Sequence, residues 1–459
     1  MIKLVEEFTP TPTLVEQARS RLRASSLIER HGRVAQMIGL VVESRGPMSA
    51  IGDVCRIESS SSPEGVLAEV VGFRNENLLL MPLGELNGIH PGSLVVATGA
   101  PLRVPVGAEL KGRVIDGLGN PIDGGSPVTS MPLEEPNLAP PHPLKRDRIT
   151  KQFQTGIKAI DTFVPCGRGQ RLGIFSGSGV GKSTLLGMMA GHAEADVNVI
   201  ALVGERGREV REFIERDLDE KGRAKSVVVV ATSNQPSLVR IKAAFLAMTI
   251  AEYFRAEGKN VLLMMDSVTR LAMAQREIGL AVGEPPTSRG YTPSVFALLP
   301  QLLERAGNDD NGSITGLFTV LVEGDDMNDP IADAVRSILD GHLVLTRELA
   351  ALNHYPAIDI QESVSRLTRD LLTPEQLELM GHARETAALY RKNQDLITIG
   401  AYTAGSNPAI DQAIRLQGPL ITFLRQAVRE TKTMAESWQL LAEILRPPPP
   451  PVENKKRSR

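Results

Sequence analysis

Cysteine is almost missing from this chain, with only Cys55 and Cys166 among 459 residues. The two stand far apart in apolar runs, which argues against a disulfide framework and fits a reducing compartment. Aromatic residues are scarce at 4%, too few for a base-stacking nucleic-acid surface. Neither sign of charge dominates. The 51 Lys and Arg face 54 Asp and Glu, for a formal net charge of −3. No basic field therefore recruits nucleic acid. No apolar run approaches the ~20 residues that span a bilayer. The opening Met1-Ile2-Lys3-Leu4-Val5-Glu6-Glu7 lacks the apolar core of a secretory signal, so a cytoplasmic chain is expected. The seven histidines are scattered without ligand spacing, and no zinc site is expected.

What is present falls into blocks. Residues 1–30 form an expected N-terminal arm, in which Leu14, Val15, Leu22, Leu27 and Ile28 oppose Arg19, Arg21, Arg23 and Arg30. Such a helix either caps its own domain or detaches toward a partner or an anionic membrane surface. In 31–98, short β-rich runs (33–42, 54–58, 66–73, 78–80 and 94–97) alternate with Gly, Pro, Ser and Asn, the spacing of a small antiparallel barrel. A connector over 99–145 holds the turn Asp116-Gly117-Leu118-Gly119-Asn120-Pro121, rich in turn residues. With that connector, 99–370 reads as an α/β core. Its strands are expected at 171–175, 197–203, 227–231, 261–265, 314–322 and 342–346, and helices at 210–217, 238–257 and 298–306. Near-continuous apolar strands with helices between them imply a mostly parallel sheet covered on both faces. Residues 371–445 read as helical. The tail 446–459, with Pro447–Pro451 before Lys455, Lys456, Arg457 and Arg459, has nothing to bury and is expected to be disordered.

The chemistry centres on Ser176-Gly177-Ser178-Gly179-Val180-Gly181-Lys182-Ser183-Thr184. It follows the apolar run Leu172 to Phe175 and opens a helical pattern. Strand, glycine-rich loop and helix is the setting of a phosphate-binding P-loop. Backbone N–H groups and the helix N-terminus would cradle a phosphate chain. Lys182 is expected to reach the β- and γ-phosphates of ATP, and Ser183 to coordinate Mg²⁺. Ser176 stands where the strict motif has glycine. Five apolar residues, Val261 to Met265, lead into Asp266, an acid suited to holding the metal's water. Val203-Gly204-Glu205-Arg206 ends the strand after the P-loop helix and so emerges at the same sheet edge. Glu205 is the candidate for activating water, with Arg206 on the γ-phosphate or orienting Glu205. Arg208, Glu209, Arg211 and Glu212 read as a solvated helix face. Asp309-Asp310 lies in a turn, and Asp325-Asp326 has no defined role.

These motifs, with Ser363-Val364-Ser365-Arg366 and in this order, resemble the rotary-ATPase family over nearly the whole chain. That family holds the F1, V1 and A1 nucleotide-binding subunits and the type III export ATPases. The runs Phe163 to Arg171 and Asp266 to Arg276 are most similar to the flagellar export branch, with the injectisome branch a near neighbour and a rotary F/V/A-type subunit the alternative. The resemblance implies a multidomain fold: an N-terminal β-barrel, a RecA-like α/β P-loop ATPase core and a helical C-terminal domain. It also implies a homohexameric ring that couples ATP hydrolysis to the export of proteins. Glu205 is then similar to the catalytic glutamate, Tyr355 to the tyrosine packed on adenine, and Arg366 to an arginine finger acting on the neighbouring subunit. The loop Gly279–Thr292 is similar to one facing the central channel. Implied partners are a dimeric regulator on the N-terminal arm, a coiled-coil stalk protein, an export gate, chaperones and cargo proteins. The implied place is the cytoplasmic side of the inner membrane, in peripheral contact with it. A noncatalytic subunit would lack the acid at Glu205, and a nucleic-acid translocase fits neither the charge nor the sparse aromatics.

Overall fold

Apolar residues on alternate positions close the first strands into a barrel. The computed structural model describes residues 19, 29–128, 131–136, 139–142, 144, 146–322 and 326–446. Most of the arm, Asp325 and the tail beyond Arg446 lie outside the described residues, so the expectations for them do too. The chain divides into two units after Leu102.

The first unit has six strands, β1 (His31–Ile38), β2 (Val41–Arg45), β3 (Asp53–Ser59), β4 (Ser62–Arg74), β5 (Asn77–Pro82) and β6 (Leu94–Pro101). They close antiparallel in the order β1-β2-β5-β4-β3-β6. Val42, Cys55, Ile57, Ala68, Val70, Leu80 and Val95 fill the interior. Closure leaves no free edge to aggregate. The run 33–42, expected as one strand, is a hairpin. Gly39 takes φ 57° and turns the chain between β1 and β2, a left-handed conformation glycine adopts without a Cβ clash.

In the second unit the short β7 (Val104–Pro105) pairs with β9 (Leu133–Glu134). Between them β8 (Val114–Asp116), inside the supposed connector, joins the main sheet beside β12 (Ser226–Ala231). The Asp116 carboxylate accepts from the N–H groups of Leu118 and Asn120, which closes the expected turn. The other strands are β10 (Arg171–Ser176), β11 (Val197–Val203), β13 (Asn260–Asp266), β14 (Gly307–Asn308), β15 (Ser313–Leu321), β16 (Gly341–Leu345) and β17 (Val364–Ser365). The order is β17-β16-β10-β15-β13-β11-β12-β8, with β14 beside β15. All neighbours run parallel except β14 and β17. β11 and β12 are buried at every position, as a sheet covered on both faces requires.

Helices expected from the pattern sit close to their places, at Ser237–Ala256 and Pro293–Leu303. The stretch read as 210–217 is a short helix, Gly207–Glu212, continued by a π turn over Phe213–Asp217. Part of the expected loop 279–292 is helical, because Val268–Val282 runs on until Gly283 (φ 97°) ends it. Three helices follow the sheet: Pro374–Thr398, Pro408–Leu424 and Met434–Leu445. Each starts with a proline or a capping box, Thr373 with Gln376 and Thr433 with Glu436. Both devices satisfy or remove N–H groups that a helix start would orphan. Among the described residues no helix is long and apolar enough to cross a membrane.

Candidate active site

In a parallel sheet the carboxyl ends of neighbouring strands bring residues distant in sequence to one edge. Here β10 delivers the P-loop, β11 delivers Glu205 and β13 ends on Asp266. Leu202 of β11 lies opposite Asp266 in the register. Gly179 and Gly181 take φ of 80° and 85°, and Val180, 2% exposed, plugs the loop into the core. The helix Lys182–His192 then begins with no side chain capping it, so its first N–H groups stay free for an anion. Ser183 and Thr184 occupy that first turn, half-buried. Ser176 closes β10, and its buried hydroxyl has no hydrogen-bond partner. Gly177 is buried under the loop and Ser178 is exposed at its tip.

Three charges converge beside this loop. Lys182 Nζ lies 2.5 Å from Asp266 Oδ1 and 3.9 Å from Glu205 Oε1. Asp266, 4% exposed, also accepts from Thr319 Oγ1 at 2.7 Å. Glu205 Oε1 is buried and accepts no hydrogen bond. Burial pushes the Glu205 carboxyl up to about 7, the Asp266 carboxylate adds to this, and Lys182 opposes it. A hydrogen bond with Glu209 raises it further, and Glu209, despite its own partial burial, is held low by Glu205 and Arg206. A raised carboxyl next to a lysine and a second acid is the mark of a proton-handling site.

Not every expected residue joins this cluster. Arg206 turns outward, with a side chain 76% exposed, and holds Glu209 Oε1 at 2.9 Å. Arg366 is exposed and lies at the other end of the sheet. It follows β17, whose Ser365 pairs with Gly341 at the start of β16. β16 runs parallel to β10, so about five steps of ~3.3 Å, roughly 16 Å of strand, separate this end from the P-loop. The Arg366 guanidinium donates to Arg336 O at 3.1 Å.

Tyr355 does come to the loop. A Cβ on Gly181 would sit 3.3 Å from Tyr355 Cδ1 and Cε1, so the ring stands against the P-loop, and it is 41% exposed. The Tyr355 carbonyl accepts from Gln426 N at 2.9 Å. Thr319 and Gln426 were missed in the sequence, and Glu209 was read there only as part of a solvated helix face. A threonine in a buried strand, an acid in a charged helix and a glutamine after a helix carry no pattern of their own.

Residues 156–365 match the ATP synthase alpha/beta family, nucleotide-binding domain. Residues 34–99 match that family's beta-barrel domain, and 372–443 match the T3SS EscN ATPase C-terminal domain. The Bacillus subtilis flagellum-specific ATP synthase is 54% identical over 91% of this chain and 95% of its own length. The type 3 secretion system ATPase of Xanthomonas euvesicatoria is 46% identical over 95% and 98%. The chain belongs to the ATP synthase alpha/beta family. Within that family it is a nucleotide-binding ATPase of the flagellar and type III secretion branch. The same fold occurs in the assembled ATPase EscN of the enteropathogenic E. coli type III secretion system. That likeness has a TM-score of 0.86 and 46% identity, over 90% of this chain and 99% of the other. EscN in complex with its central stalk EscO gives 0.84 and 45%.

Proposed function

We propose that the chain is the ATP-hydrolysing motor subunit of a flagellar protein export apparatus and works as a closed ring of six copies. The observation that carries this reading is the separation of Arg366 from Lys182, Glu205 and Asp266. They occupy opposite ends of one sheet, and Arg366 is exposed. One chain therefore offers a phosphate site at one end and an exposed guanidinium at the other. Identical copies that join these ends form a heterologous interface, which gives a ring when the rotation between copies closes, and the assembled ATPase EscN supports closure.

In that site the Gly177–Gly181 loop and Lys182 hold the phosphates, and Ser176, Ser178 and Thr184 frame them. Ser183 and Asp266 supply hard oxygen donors of the kind Mg²⁺ prefers, and the unsatisfied Glu205 Oε1 beside them fits a positively charged neighbour. The metal neutralises charge on the phosphoryl group in transfer. Glu205 takes the proton of the attacking water, and Tyr355 stacks on the adenine. Arg366 of the next copy stabilises the charge that develops on the γ-phosphoryl group. Arg206 reaches that group only after exchanging Glu209 for it. Flagellar relatives range from 46% to 54% identity and secretion relatives from 44% to 46%, which favours the flagellar system. A stalk protein then occupies the ring channel beside the 283–292 loop, a reading supported by the complex of EscN with its central stalk EscO. Chaperones deliver cargo, the export gate receives it, and a dimeric regulator holds the N-terminal arm. The ring sits on the cytoplasmic side of the inner membrane.

Arg366→Ala tests the reading. Nucleotide binding should persist while turnover falls by ~10³-fold or more, the scale of an arginine finger. Turnover within a few-fold of the parent chain would remove the ring-site proposal.

A further inference from the structure

β10 has a second function at its other end. Gln170, just before the strand, is fully buried. Its Nε2 donates to Asp340 O at 3.0 Å and Ser365 Oγ at 3.1 Å, and its Oε1 accepts from Gly167 N at 2.7 Å. Arg171 grips the Asp340 side chain with two parallel bonds, Nε to Oδ2 at 3.0 Å and Nη2 to Oδ1 at 3.1 Å. Arg171 N donates to the same carboxylate at 3.1 Å. The Asp340 carbonyl, held by Gln170, accepts from Arg366 N at 3.0 Å. A Cβ on Gly341 would meet Val364 O at 2.5 Å, so the edge strand lies tight against the turn that these bonds fix. Two of these bonds lead to Arg366, the one from Gln170 to its neighbour Ser365 and the one from Gln170 to the Asp340 carbonyl that also accepts from Arg366 N, and none of the set touches the P-loop. Bidentate arginine–carboxylate pairs and fully satisfied buried amides hold geometry more strictly than exposed contacts do.

We infer that Gln170, with the Arg171–Asp340 pair, is a positioning clamp for Arg366, so that it governs hydrolysis in the neighbouring copy and not in its own. This rests on the ring-site reading above. The same strand then ends in its own chain's P-loop and begins at the hold on the guanidinium lent to the next chain. Neither Gln170 nor Arg171 is a catalytic residue, since both act through Arg366.

The test uses mixed rings of full-length chains. Lys182→Ala chains lack a phosphate site but present Arg366. Arg366→Ala chains have the site but no finger. Mixing the two restores turnover if fingers act between copies. Gln170→Ala is then placed in one parent at a time. In the Lys182→Ala parent, which donates the finger, it should cut the restored turnover at least five-fold, a loss on the order of one or two hydrogen bonds. In the Arg366→Ala parent it should leave the restored turnover within two-fold. Ser365→Ala, which removes a single acceptor, should repeat the asymmetry at smaller size. An equal loss in both arms, the signature of a merely structural residue, overturns the clamp. So does no loss in the donor arm. No restored turnover in the parental mixture overturns the ring-site reading itself, and the clamp with it.

Discussion

Lys182 and Glu205 show how far single residues account for the chemistry. The Glu205 carboxyl is pushed up to about 7 from an ordinary 4.5, first by burial and then by Asp266. Its carboxylate is the form that takes a proton from water. The ascending limb of kcat/KM against pH, which reports the free enzyme, should therefore have its midpoint near 7. The hydrogen bond and the negative charge of Glu209 also raise Glu205, so Glu209→Gln should move that limb to lower pH. An unmoved limb would detach Glu209 from the site. The stability sign follows from the same shift. Between about 4.5 and 7 the folded chain keeps a proton that the unfolded chain has released, so stability falls as pH rises through that window. Glu205→Gln should abolish this loss, on the order of 2 kcal/mol, and raise the thermal midpoint at pH 8 relative to the parent chain. It should also keep nucleotide binding and lose ~10²-fold or more in turnover. Gly181→Ala should do the opposite. Its φ of 85° strains any residue with a Cβ, and a methyl there would crowd the Tyr355 ring at 3.3 Å, so nucleotide binding measured by calorimetry should weaken. The P-loop, Glu205 and Asp266 were legible in the sequence because each follows an apolar strand by a fixed step. Where Arg206 points was not legible, because a surface arginine chooses between partners that only the fold brings near.

The elements hold the adenine side of the site through the C-terminal helices. Lys158, 6% exposed in its side chain, holds Glu430 at 2.7 Å. Gln426 joins Lys158 N, Gly156 O and Glu430 O, and its own N–H donates to the Tyr355 carbonyl. Phe423 packs edge-on against Phe163. Glu430→Ala leaves the Lys158 charge buried without its partner, which should cost about 3 kcal/mol, read from the shift of the urea midpoint. Because the same latch ends on Tyr355, KM for ATP should rise more than kcat falls. Binding of tripolyphosphate, which has no base to stack, should stay as in the parent chain. Equal losses for both ligands would make the latch a fold determinant only. At this scale the sequence pattern located β11 to the residue, since a wholly buried strand is one unbroken apolar run. It merged β1 with β2 because Gly39 sits inside apolar neighbours, and it missed β8 because three residues give no periodicity to read.

In the proposed ring the whole molecule is half of a catalytic unit. Lys182, Glu205 and Asp266 meet at the carboxyl end of the sheet, and Arg366 stands exposed at the amino end. Strand order and register dictate that separation, which the order of the motifs along the chain does not reveal. The family resemblance named the residues, and the topology is the reason we propose that a second copy completes the site. That claim is tested most directly by diluting the full-length protein at saturating Mg²⁺ and ATP. Turnover per chain is measured beside the fraction of chains in rings, counted by mass photometry. Turnover per chain should follow the assembled fraction and extrapolate to near zero for the monomer. Monomers that hydrolyse ATP at the rate of the assembled protein would contradict the account.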